Sequence, residues 1–172
     1  VIYVGIDPGK QGAIARIDAD SATAFPIPVF KPAKGKPEYD VGAIRDAMLE
    51  LATGGPEIFV MVEDPGPISP RVKAGSLAQY NRGVTRGWDW LLMGMGIPHQ
   101  LVKPKAWQKV MHEGCAGDDT KLKSITAAQR LFPNVDLRRT ERCRTQDDGM
   151  AEALLLAEYG RRTHNGRSSQ EA

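Results

Sequence analysis

Asp7 stands where an unbroken apolar run, Val1–Ile6, comes to an end, and Pro8, Gly9 and Gly12 follow it. Glu63 closes a second such run, "EIFVMVE", and is followed by Asp64, Pro65 and Gly66. A third acidic group lies in "TQDDGMAEALLLAEYG", where Asp148 and Glu152 are four residues apart. At about 100° per residue a helix puts these two on one face with Ala151, Leu155 and Tyr159. That face is apolar and packs inward, so solvation does not account for its acids. Buried carboxylates repel one another and are costly to desolvate without a compensating cation. Oxygen donors without His or Cys suit a hard octahedral ion, Mg²⁺ or Mn²⁺. Two such ions activate water and stabilise the leaving oxygen of a phosphodiester. Asp7, Glu63, Asp148 and Glu152 are therefore the expected ligands. Asp147 starts the helix, where an acid satisfies free N–H groups, and is expected to be structural or to support the ligands from behind. The rival is that Asp147 and Asp148 both bind metal while Glu152 pairs with a basic neighbour such as Lys121. Taken singly, each acid has a plainer reading, as a turn, a cap or an ion pair; the convergence of three elements is what argues for a site.

The elements that must position these acids follow from pattern. Ile2–Ile6, Gly12–Ile17 and Ala22–Ile27 read as strands joined by short polar or Gly-rich turns. "PVFKPAKGKPEY" has no apolar period and reads as a mobile basic loop. Val41–Leu51 has helical spacing, and "EIFVMVE" is a strand buried on both faces. Leu77–Met95 is a long helix, "HQLV" a short strand, and Pro104–Met111, Thr120–Leu131 and Asp147–Arg162 complete the helices. The order β-β-β-α-β-α-β-α-α predicts an α/β protein with a mixed five-stranded sheet: three antiparallel strands, then β-α crossovers. If the first strand and "EIFVMVE" lie parallel, Asp7 and Glu63 reach the same end of the sheet, where sites form in open α/β sheets.

With 172 residues, 41% of them hydrophobic and 26% charged, the chain is expected to be one ordinary globular domain. Cys115 and Cys143 form no disulfide framework and point to a reducing cytoplasm. His112 and Cys115 find no second pair to complete a zinc site. No run is long enough for a membrane helix, and no signal or transit peptide is recognised at the start. The net charge of +2 conceals clusters at Lys31, Lys34 and Lys36, at Lys103, Lys105 and Lys109, and at Arg138, Arg139, Arg142 and Arg144. Clustered cations suit a polyanion.

"GIDPGKQGAIA", "VMVEDPGP", "VKPKAWQKVM", "DDTKLKSITAAQRLFP" and "QDDGMAEALLLAEYG", in that order, resemble the RuvC-type Holliday junction resolvases, especially small phage and bacterial members. The resemblance implies a ribonuclease-H-like nuclease domain over residues 1–162, with a mobile basic loop at about 28–40 and a flexible tail at 163–172. It implies a dimeric, Mg²⁺- or Mn²⁺-dependent endonuclease that nicks opposing strands of a four-way DNA junction. Asp7 and Glu63 match the family's strand acids, Asp148 and Glu152 its acidic pair on the last helix, and Lys121 a basic residue near the scissile phosphate. Lys103, Lys105, Lys109, Lys123, Arg71 and Lys73 are the cations expected on DNA. The chain departs from the family pattern in three places. No aromatic stands in "EDPGPI" shortly after Glu63, Gln108 replaces a basic residue and leaves Lys105 or Lys109 to substitute, and the second helix acid is Glu152 rather than Asp. The helix 77–95 carries apolar residues too widely spread for one buried stripe, so a homodimer through it is expected. The alternatives are another nuclease of this fold, acting on RNA–DNA hybrids or other branched DNA, and a non-catalytic nucleic-acid-binding module. An actin-like kinase needs a second comparable domain.

Overall fold

The computed structural model describes residues 1–52, 57–66 and 77–168. The chain opens as a meander of β1 (Ile2–Ile6), β2 (Ala13–Ile17) and β3 (Ala22–Pro26), antiparallel throughout because the links are too short for a crossover. A hairpin of β4 (Val29–Phe30) and β5 (Glu38–Tyr39) precedes α1 (Val41–Ala52). Then β6 (Ile58–Glu63) pairs in parallel with β1, and α2 (Leu77–Gly94) leads to β7 (His99–Val102), parallel to β6. Helices α3 (Pro104–Met111), α4 (Thr120–Leu131) and α5 (Asp148–Ser168) complete the described chain. The main sheet has the order β3-β2-β1-β6-β7, the expected mixed five-stranded architecture. No helix among the described residues is long and apolar enough to cross a membrane.

Each face of the sheet carries its own core. One joins Ala13, Ala15 and Met61 to Trp107 and Met111 of α3, Ala127 and Ala128 of α4, and the buried residues of α5. The other joins Ile2, Val4, Ile6 and Val60 to Ile44 and Met48 of α1 and Trp88 and Leu92 of α2. The central strand β1 is buried along its whole length, which explains its unbroken apolar run.

Helix α5 lies across β1 and β2, and glycine permits the approach. A Cβ on Gly5 would collide with the Ala153 carbonyl and the Ala157 nitrogen. A Cβ on Gly149 would lie 2.6 Å from the Gln11 carbonyl oxygen, so the start of α5 also presses on the β1–β2 turn. Ala151 and Ala153 through Ala157 are all buried, so α5 is enclosed between the sheet and α4 rather than amphipathic. The single inward face expected from its sequence is thus corrected to burial nearly all round over 150–160, with Arg161, Arg162 and Thr163 exposed beyond it.

Two further expectations change. The segment read as an irregular loop contains a short antiparallel ladder, Val29 to Tyr39 and Phe30 to Glu38. Its strands are too short to leave a period, and Pro28, Pro32 and Pro37 limit their extension. The last helix runs past the expected end at Arg162 to Ser168. His164 stacks on Phe59 with ring centroids 4.3 Å apart, which holds that turn against β6.

Candidate active site

The parallel register of β1 and β6 pairs Ile6 with Val62. One residue further on, Asp7 and Glu63 stand side by side at the ends of their strands, Glu63 still paired with Val102 of β7. The Asp7 N–H still donates to the Ala13 carbonyl (3.1 Å), and its Oδ1 accepts from the Gly9 N–H (3.3 Å). Contact between α5 and the β1–β2 turn brings Asp148 and Glu152, on the first turns of α5, to the same edge. Helix α4 supplies Lys121, whose Nζ lies 2.6 Å from Asp148 Oδ2. The structure therefore gathers Asp7, Glu63, Asp148, Glu152 and Lys121 at one end of the sheet.

The acids feel one another. Burial, then the charges of Asp148 and Asp147, push Asp7 up to about 6 against the pull of the Gly9 N–H. Burial and the Asp7 charge push Glu63 up to about 7, although the Trp107 indole opposes them. Burial and the charges of Asp7, Glu63 and Asp148 push Glu152 up to about 8. Asp148 accepts from Lys121, whose own pKa is raised by that bond. Lys121 is largely exposed, so the pair is worth little by itself. Among the described residues no cation is paired with Asp7, Glu63 or Glu152. Arg139 draws Asp7 down and Lys121 feels the Glu152 charge, but burial and like charge outweigh them and destabilise the ionised fold.

Asp147 behaves differently. Its Oδ1 accepts from the Met150 N–H (3.0 Å), and its Oδ2 lies 2.7 Å from Arg139 Nη1. Arg139 also donates to the carbonyls of Gln11 (2.7 Å) and Gly12 (3.0 Å). Asp147 is thus a helix cap and, through Arg139, a clasp between α5 and the β1–β2 turn. Sequence placed Arg139 only in a basic cluster; nothing local marked it as this clasp.

Three more side chains reach toward the acids, and sequence alone assigned none of them a role there. Trp107, fully buried, donates from Nε1 to Glu63 Oε2 at 2.8 Å. Ser124 Oγ stands 3.3 Å from Glu152 Oε1 and 3.0 Å from the Thr120 carbonyl, and its single proton serves one of them at a time. His112 Nε2 lies 3.0 Å from the same Ser124 oxygen. Trp107 and Ser124 are buried on α3 and α4, and their place in those helices gave no sign of the acids they face. A Trp and a Ser aimed from that core at two acids is visible only in three dimensions.

Of the cations expected on DNA, Lys103, Lys105 and Lys109 are exposed at and along α3, and Lys123 is half-buried on α4. Arg71 and Lys73 lie outside the described residues.

Asp7, Glu63, Asp148 and Glu152 offer only oxygen donors, and burial and mutual repulsion raise three of them despite the nearby charges of Arg139 and Lys121, which fits a hard divalent cation. As they stand, no three His, Cys, Asp or Glu side chains among the described residues are gathered into a cage for an ion. Each of these acids is instead drawn onto its own donor: Gly9, Trp107, Lys121 or Ser124.

No family model matches the sequence, and no curated protein matches it. Solved structures do. Thermus thermophilus RuvC in complex with Holliday junction substrate superposes with a TM-score of 0.51 at 16% identity, over 95% of this chain and 96% of that one. A second T. thermophilus RuvC structure gives the same TM-score and identity over 95% and 97%. The chain therefore has a RuvC-like fold.

Proposed function

We propose that this chain is a divalent-metal-dependent endonuclease that resolves four-way DNA junctions by paired nicks. One observation carries the reading: β1, β6 and α5 of a RuvC-like fold bring Asp7, Glu63, Asp148 and Glu152 together as a mutually repelling cluster. Mg²⁺ or Mn²⁺, two ions per site, would supply the activation of water and the neutralisation of the leaving oxygen. The chain's own residues do the rest. Asp7 and Glu63, fixed at strand ends, give a rigid floor for the donors. Trp107 holds the Glu63 carboxylate and Ser124 the Glu152 carboxylate, so their orientation is set before substrate arrives. Lys121, on a long exposed stem beside Asp148, meets a phosphate oxygen in this reading. The exposed Lys103, Lys105 and Lys109, with Lys123, extend this positive edge along the DNA.

Paired nicking also requires two sites related by a two-fold axis. Helix α2 supports a homodimer: Trp88 is buried at 4% exposure while Trp90 is 71% exposed and Met93 65%. Among the described residues nothing fills the space beside Gly83, Gly87 and Gly94, which suits close approach. A Trp90→Lys variant is expected to shift the mass in solution from dimer to monomer; a monomeric wild type at micromolar concentration removes this part of the reading.

The deciding experiment incubates the protein with a synthetic junction, a linear duplex and an RNA–DNA hybrid, with Mg²⁺, Mn²⁺ or EDTA. Symmetric nicks in the junction that ligase reseals, bearing 5′-phosphate and 3′-hydroxyl ends, are expected only with metal. Preferential cutting of the hybrid assigns the site to a different nuclease of this fold. Junction binding without cutting under any metal assigns it to a binding module.

A further inference from the structure

The carboxylate edge of the sheet is flanked by cations on both faces, and the reading above uses only one set. Lys103, Lys105, Lys109, Lys121 and Lys123 belong to the face covered by α3, α4 and α5. On the other face, just before α1, the β4–β5 hairpin presents Lys31, Lys34 and Lys36, all exposed. None of the three is ion-paired with a carboxylate among the described residues. Glu38 is the acid within the ladder, and Asp40 just beyond it is engaged in capping α1 through the Ala43 N–H (2.9 Å).

A ladder this short does not hold itself in water. What holds it is the loop that carries Asp7. The Tyr39 hydroxyl donates to the Pro8 carbonyl at 3.0 Å, and Pro8 follows Asp7 directly. Lys10 donates to the Pro37 carbonyl at 2.7 Å and lies 5.7 Å from the Tyr39 ring centroid and 5.1 Å from that of Tyr80. At the base of the hairpin the Asp40 N–H donates to the Pro28 carbonyl (3.1 Å). Asp7 is near enough for its charge to add to burial and Tyr80 in raising the Tyr39 hydroxyl. The hairpin is therefore fastened to the acid site rather than hung at a distance from it. Three neighbouring lysines without acid partners repel one another, and a polyanion laid along them removes that repulsion.

We propose that the β4–β5 hairpin is a second DNA-binding arm, in which Lys31, Lys34 and Lys36 take backbone phosphates of the DNA leaving the acid site on the α1–α2 side. The inference rests on the nuclease reading and adds to it the surface that holds the second flank of the substrate. With the α3–α4 lysines it would grip DNA on both sides of the cleavage edge.

The test replaces Lys31, Lys34 and Lys36 together by Ala in the full chain and measures binding of a labelled four-way junction across a salt series. Each lost phosphate contact is expected to make the slope of log K against log salt shallower by about 0.9, so the triple variant loses up to roughly 2.7. Unchanged affinity and slope, in a variant whose thermal unfolding matches wild type, overturns the arm while leaving the nuclease reading in place. If wild type itself neither binds nor cuts DNA, the nuclease reading fails first. Amine-reactive footprinting of the wild-type protein gives an answer even if the variant misfolds. Lys31, Lys34 and Lys36 are expected to be protected by junction DNA, and full reactivity in the complex overturns the proposal.

Discussion

At the scale of single residues, the acids divide into those that repel and those that clasp. Asp7 is pushed up to about 6, chiefly by burial, so its ionised form weakens the fold at neutral pH. Replacing it by Asn is expected to abolish cleavage, and Glu152→Gln to do nearly the same. Asp7→Asn should also raise the stability of the metal-free protein at pH 8 by roughly 1–3 kcal/mol, as one unit is worth about 1.4. Denaturation in EDTA beside a cleavage assay checks both halves; a variant that is inactive and less stable contradicts the repulsion account. Asp147 is the contrasting case. Asp147→Ala removes a cap worth about 1 kcal/mol and leaves Arg139 without its carboxylate. Stability is expected to fall while cleavage below the melting temperature is largely kept. An inactive but stable Asp147→Ala would make Asp147 part of the chemistry.

At the scale of elements, the site depends on how closely α5 lies on β1. Gly5 sets that distance, because the helix backbone occupies the place of a side chain. Gly5→Ala must push α5 outward, an overpacking that costs about 1–3 kcal/mol or more. It should also carry Asp148 and Glu152 away from Asp7 and Glu63. The expected result is a lower melting temperature together with a cleavage rate reduced further than the loss of folded protein explains. Wild-type rate and stability in Gly5→Ala would mean that this contact does not set the geometry.

At the scale of the whole molecule, the acid cluster couples folding to pH. Asp7, Glu63 and Glu152 have folded-state values of about 6, 7 and 8, above their ordinary values. The folded protein therefore binds more protons than the unfolded chain between about pH 4 and pH 8. This contribution to stability is fully present below about pH 4 and is lost as pH rises through about 6 to 8. Without divalent ions, the melting temperature is expected to fall from pH 5 to pH 8. Mg²⁺ or Mn²⁺ should raise it more at pH 8, where the ligands are ionised, than at pH 5. Thermal scans at the two pH values, with and without metal, measure this; an equal or larger metal effect at pH 5 argues against carboxylate ligation.

Much of this was legible in the chain itself. The unbroken apolar runs ending in Asp7 and Glu63, and the four-residue spacing of Asp148 and Glu152, are local patterns with a fixed geometric meaning. They determined the strands, the helix and the candidate acids. The mixed sheet followed from element order, because short links force antiparallel pairing and helical crossovers allow parallel pairing. Tertiary structure alone decided the rest. The clasp from Arg139 to Asp147, Gln11 and Gly12 spans distant parts of the chain, and no local pattern encodes it. Trp107 and Ser124 carried no local mark of a role; only the packing of α3 and α4 against the sheet edge turns their polar atoms toward Glu63 and Glu152. The β4–β5 ladder was invisible for a related reason. Its two rungs are too few to leave a period, and what holds it is the fastening of Tyr39 and Lys10 across to the Asp7 loop, a contact made only once the sheet has formed.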